Sequence, residues 1–160
     1  MFRRAIFPGT FDPFTLGHLS LLERGLLLFD EVVVAIGNNP AKKTFFSSGE
    51  RLAMVLRLFG GNNRVKVCSY EGLTVDLARE EGAGFILRGV RTASDFDYER
   101  SVACVNRKLS GVETVIFFAE PELEHISSSV VRELLTLGRP VDCFVPGGML
   151  DGDAERFGGL

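Results

Sequence analysis

Short apolar runs and amphipathic stretches alternate along the chain from its first residues to about residue 137. Residues 5–7, 31–36, 64–68, 85–88 and 114–118 are runs rich in β-branched, aromatic or aliphatic side chains, the pattern of strands buried on both faces. Between them apolar residues recur at helical spacing. Leu19, Leu22, Leu26 and Phe29 share one face of a predicted helix over 17–29. Ser47 and Glu50 stand at capping-box spacing at the head of a second, predicted to run to about 59. Further helices are predicted over 73–81, about 95–109 and 128–137, the last stopped by Gly138 and Pro140. Strands alternating with helices of this length predict an α/β, Rossmann-like, doubly wound fold. Its five-stranded sheet is expected to be mainly parallel, with helices on both faces. Such sheets bind ligands in the crevice beyond the carboxyl ends of their strands. One helical face, with Val102, Val105 and Leu109, reads equally as core or as subunit interface.

Composition narrows the class. A chain of 160 residues, 46% apolar and 24% charged, fits one soluble globular domain over 1–160, with the polar, Gly-rich 151–160 read as a frayed tail. No apolar run spans a bilayer, and Arg3-Arg4 has no long apolar segment behind it, so neither a membrane association nor a signal peptide is expected. The three cysteines, Cys68, Cys104 and Cys143, form no CxxC pair. They are expected to lie buried as small apolar residues in a reducing, cytoplasmic setting, and no protein-held metal is expected. The net charge of −3 argues against nucleic-acid binding but leaves room for a local basic pocket.

Candidate chemistry gathers where the topology places a ligand. The stretch PGTFDPFTLGH, residues 8–18, lies between the first strand and the first helix. There Gly9 permits close backbone approach to a ligand and Thr10 offers a hydroxyl, while Gly17-His18 falls at a helix entry that favours an anion. Taken alone, His18 reads more readily as a structural cap. The loop after the second strand carries Lys42 and Lys43 behind Pro40, a pattern usual for solvated lysines. The loop after the fourth strand carries Arg88-Gly89-Val90-Arg91 ahead of Asp95, Asp97 and Glu99, which by themselves suit an ordinary helix start. After the fifth strand come His125 and Ser127-Ser128-Ser129, a serine cap or a phosphate cradle. Together these loops describe an electrostatic clamp for several phosphates at one sheet edge. No Walker A motif, GxGxxG or GxSxG is present, which leaves nucleotidyl transfer by a different cradle.

PGTFDPFTLGH resembles the TxGH form of the HxGH signature of the nucleotidyltransferase superfamily. With NPAKK (39–43), RGVRTASDFDYE (88–99) and ISSS (126–129), the chain is similar to the phosphopantetheine adenylyltransferase family from about residue 3 to 146. The resemblance implies transfer of AMP from ATP to 4′-phosphopantetheine, giving dephospho-coenzyme A and pyrophosphate. It implies that His18 stabilises the transition state, with Lys42 and Arg91 also catalytic. Thr10, Lys42, Thr74 and Arg88 would bind phosphopantetheine. Thr10, Phe11, His18, Gly89, Val90, Arg91 and Glu99 would meet ATP, as would Leu123, Glu124, His125, Ile126, Ser127, Ser128 and Ser129. Mg2+ would be carried mainly by the ATP phosphates, and a homohexamer inhibited by coenzyme A is implied. The chain departs from the pattern at Thr15, in place of the superfamily's first histidine. It departs again at Ser20, read as a helix-surface change, at Asp97, and at 123–125, which lacks an aromatic residue. The competing readings are another nucleotidyltransferase, acting on nicotinamide mononucleotide or a cytidylyl acceptor, and a non-catalytic sensor of ATP or coenzyme A. Lys42 and the RGVR…DFDYE segment weigh against the first, and His18 with Lys42 against the second.

Overall fold

The computed structural model describes residues 1–151, so all of the expected tail except Asp151 lies outside the described residues. Strands β1 (Arg4–Gly9), β2 (Glu31–Gly37), β3 (Val65–Tyr70), β4 (Phe85–Val90) and β5 (Glu113–Phe118) form one sheet in the order β3-β2-β1-β4-β5. Every pairing is parallel. Helices α1 (Leu16–Leu28), α2 (Ser48–Phe59), α3 (Thr74–Glu80), α4 (Ala93–Ser110) and α5 (Ser128–Thr136) follow the strands in turn.

The central strands β1 and β2 are buried on both faces, whereas β3 and β5, at the two edges of the sheet, are only partly buried and depart from the expected pattern. Ala5, Phe7, Val32, Val34, Ile36 and Leu87 pack toward α1, α2 and α5, while Ile6, Val33, Ala35 and Ile86 pack with Val75 and Ala78 of α3 on the other face. Val141, Val145 and Met149 join the first cluster, so the segment after α5 also belongs to the core. Among the described residues no helix is long and apolar enough to cross a membrane.

One further expectation needs correction, and one open reading narrows. Cys104 and Cys143 are exposed and Cys68 is only partly buried, so none serves as a fully buried small apolar residue. Glu99 is the sole buried residue of α4, and Val105 and Leu109 on its outer face are 56% and 60% exposed, which excludes them from this chain's core. Helix α4 also begins two residues earlier than predicted. Thr92 caps it, its hydroxyl accepting from the Asp95 amide at 3.1 Å, and the Asp95 carboxylate reaches back to the Thr92 N–H.

Candidate active site

The sheet opens at its centre. β1 and β2 stay paired as far as Gly9↔Ile36, but β1 and β4 pair only at Ala5↔Phe85 and Ile6↔Ile86. Pro8 has no N–H to continue a ladder, and its carbonyl instead accepts from Arg88 Nη1 at 2.9 Å. This is the topological switch point of the 3-2-1-4-5 order, where the strand connections change direction. Two cavities lie here. One, of about 370 Å³, sits over the ends of β1, β4 and β5, and the other, of about 640 Å³, over β1, β2 and β3. Pro8, Gly9 and Arg88 line both.

His18 lines the smaller cavity and is itself part of a helix cap. Thr15 is the N-cap of α1, and its hydroxyl accepts from the His18 amide at 3.4 Å. The Thr15 backbone N–H donates to His18 Nδ1 at 3.0 Å. An amide N–H can only donate, so Nδ1 carries no proton and the neutral ring presents Nε2–H as the donor available to a ligand. Burial first, then the neighbouring Arg91 and Arg88 cations, depress the His18 pKa from 6.5 to about 4. At neutral pH the ring is therefore an uncharged hydrogen-bond donor. Phe11 and Phe14 pack against it with ring centroids 5.0 and 5.3 Å away. The capping and functional readings of His18 describe one geometry.

Arg88 stands between the cavities. Its Nε donates to Glu99 Oε2 at 2.9 Å and its Nη2 to Glu99 Oε1, a forked pair that uses both oxygens of the buried carboxylate. Glu99 thus orients Arg88. Arg91 lies on the rim of the smaller cavity, its amide donating to Asp95 Oδ2 at 3.1 Å. Gly89 is required by packing, since a Cβ there would meet Leu21 Cδ1 of α1 at 2.2 Å.

Thr10, Lys42 and Thr74 line the larger cavity, and the Thr74 hydroxyl is held by Tyr70 at 2.8 Å. Asp12 ties the loops together from beneath. Its two oxygens accept from the amides of Phe45 and Phe46, each at 2.8 Å, anchoring the loop that carries Lys42. Arg132 Nη1 donates to the Asp12 carbonyl at 2.7 Å and Nη2 to Ser129 Oγ at 3.1 Å, while Ser128 Oγ donates to the Pro13 carbonyl at 2.8 Å.

The structure brings Phe11, His18, Gly89, Val90, Arg91 and Glu99 to the smaller cavity, together with Leu123, Ile126, Ser127, Ser128 and Ser129. Thr10 lies on the larger cavity alone, and exposed Glu124 and His125 lie on neither. Gly9 lines both cavities, and the Phe11 ring stands 2.8 Å from where its Cβ would sit. Phe11 itself takes the left-handed conformation, with φ 49°. Ser20 is not a helix-surface change either, because it lines the smaller cavity with its hydroxyl buried and unpartnered. Sequence reasoning missed Asp12, Arg51 and Arg132, each of which holds backbone groups distant in sequence that carry no local signature.

Comparison with known proteins places these features in a family context. The pattern of the cytidylyltransferase-like family matches residues 6–134. The phosphopantetheine adenylyltransferase of Phocaeicola vulgatus is 55% identical over 147 residues, covering 92% of this chain and 97% of that protein. Its counterpart from Bacteroides thetaiotaomicron is 51% identical over 147 residues, with 92% and 97% covered. The Porphyromonas gingivalis protein of the same name is 49% identical over 146 residues, with 91% and 95% covered.

Proposed function

This chain belongs to the cytidylyltransferase-like family and, within it, to the phosphopantetheine adenylyltransferases, and on that premise we propose that it adenylylates 4′-phosphopantetheine. ATP is the donor, and dephospho-coenzyme A and pyrophosphate are the products, the penultimate step of coenzyme A biosynthesis. The observation that carries the reading is the meeting of two cavities at Pro8, Gly9 and Arg88, with His18 on the wall of one and Lys42 on the wall of the other.

In this reading the smaller cavity takes ATP, with Arg91, Ser128 and Ser129 at its phosphates. The larger takes the acceptor, with Thr74 along the pantetheine arm and Thr10, Lys42 and Arg88 at its phosphate. An acceptor phosphate oxygen attacks the α-phosphorus of ATP. The new P–O bond forms as the bond to the β-phosphate bridging oxygen breaks, and pyrophosphate leaves with that electron pair. The attacking oxygen is anionic at neutral pH, so no protein base is needed, and the chain contributes positioning and charge stabilisation. His18 Nε2–H donates to the α-phosphate as negative charge grows there. Mg2+ neutralises phosphate charge when bound. Among the described residues no group of three or more His, Cys, Asp or Glu is arranged to hold it, and the Glu99 carboxylate is already committed to Arg88, so a metal borne on ATP oxygens fits this chain.

A cytoplasmic homohexamer inhibited by coenzyme A completes the proposal. The exposed apolar side chains Tyr98, Val105, Leu109 and Phe118 support assembly. The testing experiment is pyrophosphate release from ATP and magnesium, with and without 4′-phosphopantetheine. Acceptor-dependent release is expected, whereas ATP binding with no release on adding the acceptor would overturn the acceptor assignment.

A further inference from the structure

Arg51 is the largest side chain fully buried in the described structure, with 1% of its surface exposed. It projects from α2, and Nη1 donates to the carbonyls of Thr10 at 2.6 Å and Gly37 at 3.0 Å. Nε is buried without a hydrogen-bond partner. No carboxylate of the described residues lies within ion-pair distance, the nearby opposite charge being Asp12, whose oxygens are engaged by the Phe45 and Phe46 amides. A guanidinium cannot shed its charge at neutral pH, and removing it from water is costly. A methionine of similar length would fill the space without burying a charge but would leave the Thr10 and Gly37 carbonyls without this donor, so what the arginine supplies is the tie between those two segments.

What Arg51 does hold is specific. Thr10 directly follows β1 and Gly37 ends the neighbouring β2, and both line the larger cavity. Five positions beyond Gly37 comes Lys42 on the same wall. One buried nitrogen therefore fixes the distance between the segment carrying the Thr10 hydroxyl and the segment carrying Lys42. We infer that Arg51 is a positioning residue for the acceptor phosphate, tying Thr10 and Gly37 together behind the cavity wall so that Thr10 and Lys42 converge on that phosphate. Arg51 lines neither cavity, so it acts through those two residues and does not touch substrate. The nucleotide cavity is lined by the end of β1, the opening loop, α1, the end of β4 and the start of α5, but neither Thr10 nor Gly37 lines it, so the direct effect of Arg51 falls on the acceptor side.

This inference rests on the larger cavity being the acceptor site. Arg51→Met and Arg51→Lys are to be compared with wild type for kcat, for KM of each substrate, and for Tm. For Arg51→Met the expected result is an acceptor KM raised about tenfold or more, the scale of a lost charge-assisted hydrogen bond, with the ATP KM within about twofold and at most a modest fall in Tm, since relief of the buried charge offsets the two carbonyls left without this donor. Arg51→Lys keeps a cation and its donors on a shorter reach, and is expected to recover part of the acceptor KM. An unchanged acceptor KM, or equal rises in both KM values with a lower Tm, would overturn the inference, the latter marking a merely structural residue. If Arg51→Met does not fold, Arg51→Lys decides alone, by showing or failing to show a rise confined to the acceptor KM. Acceptor-independent behaviour of the wild type would instead strike the proposed function, so the two failures are distinguishable.

Discussion

Acidification reaches His18 in a way that can be worked through from its surroundings. In the unfolded chain its imidazole takes up a proton near pH 6.5, but in the fold it resists until about 4. Between those values the unfolded state binds more protons, so stability falls as pH falls through this window and levels off below it. His18 therefore contributes stability that is complete above about pH 6.5 and lost on the way to about pH 4. Each pH unit inside the window is worth about 1.4 kcal/mol, so going from about pH 6.5 to about 4.5 removes up to about 3 kcal/mol, and about 2 after allowing for the cavity's solvent contact. Urea denaturation of wild type and His18→Gln at fixed protein concentration across this range isolates the contribution, because every other titrating group is common to both. Wild type is expected to lose about 2 kcal/mol more than the variant. Ring NMR of the free protein should show a His18 midpoint near 4 and the proton on Nε2. Parallel stability curves, a midpoint near 6.5, or an Nδ1-protonated ring would refute the reasoning, because each would mean that the Thr15 amide and the burial do not govern this imidazole.

Glu99→Gln keeps the side chain's size but replaces one of the two oxygens that grip Arg88 with an amide that cannot accept. Arg88 then loses its forced orientation between the cavities, and acceptor kcat/KM is expected to fall about 10- to 100-fold, measured by pyrophosphate release. An effect under about twofold would show that Pro8 alone holds Arg88. Lys42→Ala should weaken 4′-phosphopantetheine binding while leaving ATP binding within about twofold, because Lys42 lines only the larger cavity. Isothermal titration with each ligand checks this, and a loss on the ATP side would contradict the division of the cavities.

The fold was legible because its information is local and periodic. Apolar runs of strand length, separated by helical repeats, dictated parallel pairing, and all five strands and five helices stand where the pattern predicts them. The differences lie at boundaries. Strands β1, β3 and β4 run two residues further toward the site than predicted, because backbone pairing continues through residues such as Gly9, Ser69 and Gly89 that carry no strand signature. Helix α4 starts early because Thr92 and Asp95 form a capping box, which puts the helix start ahead of Asp95, where the acidic residues place it. The cysteines misled because composition speaks to compartment and not to which side of its strand, helix or loop a residue occupies.

The site divides along the same line. Residues on the cavity walls were legible because phosphate chemistry needs cations, hydroxyls and helix starts, and the topology gathers loops at one edge. The residues that set those walls were not. Asp12 shows why, since its carboxylate meets two amides more than thirty positions away, and backbone amides look alike in every sequence. Arg132 joins Asp12 to Ser129 from the far end of the chain, so the acceptor loop, the opening loop and the start of α5 share one set of hydrogen bonds. In-line transfer depends on the distance between two bound substrates, and misplacement of about 1 Å can cost about a hundredfold in rate. A site whose chemistry is nearly all positioning must therefore keep its most consequential side chains beneath the surface, where only the folded chain reveals what they hold.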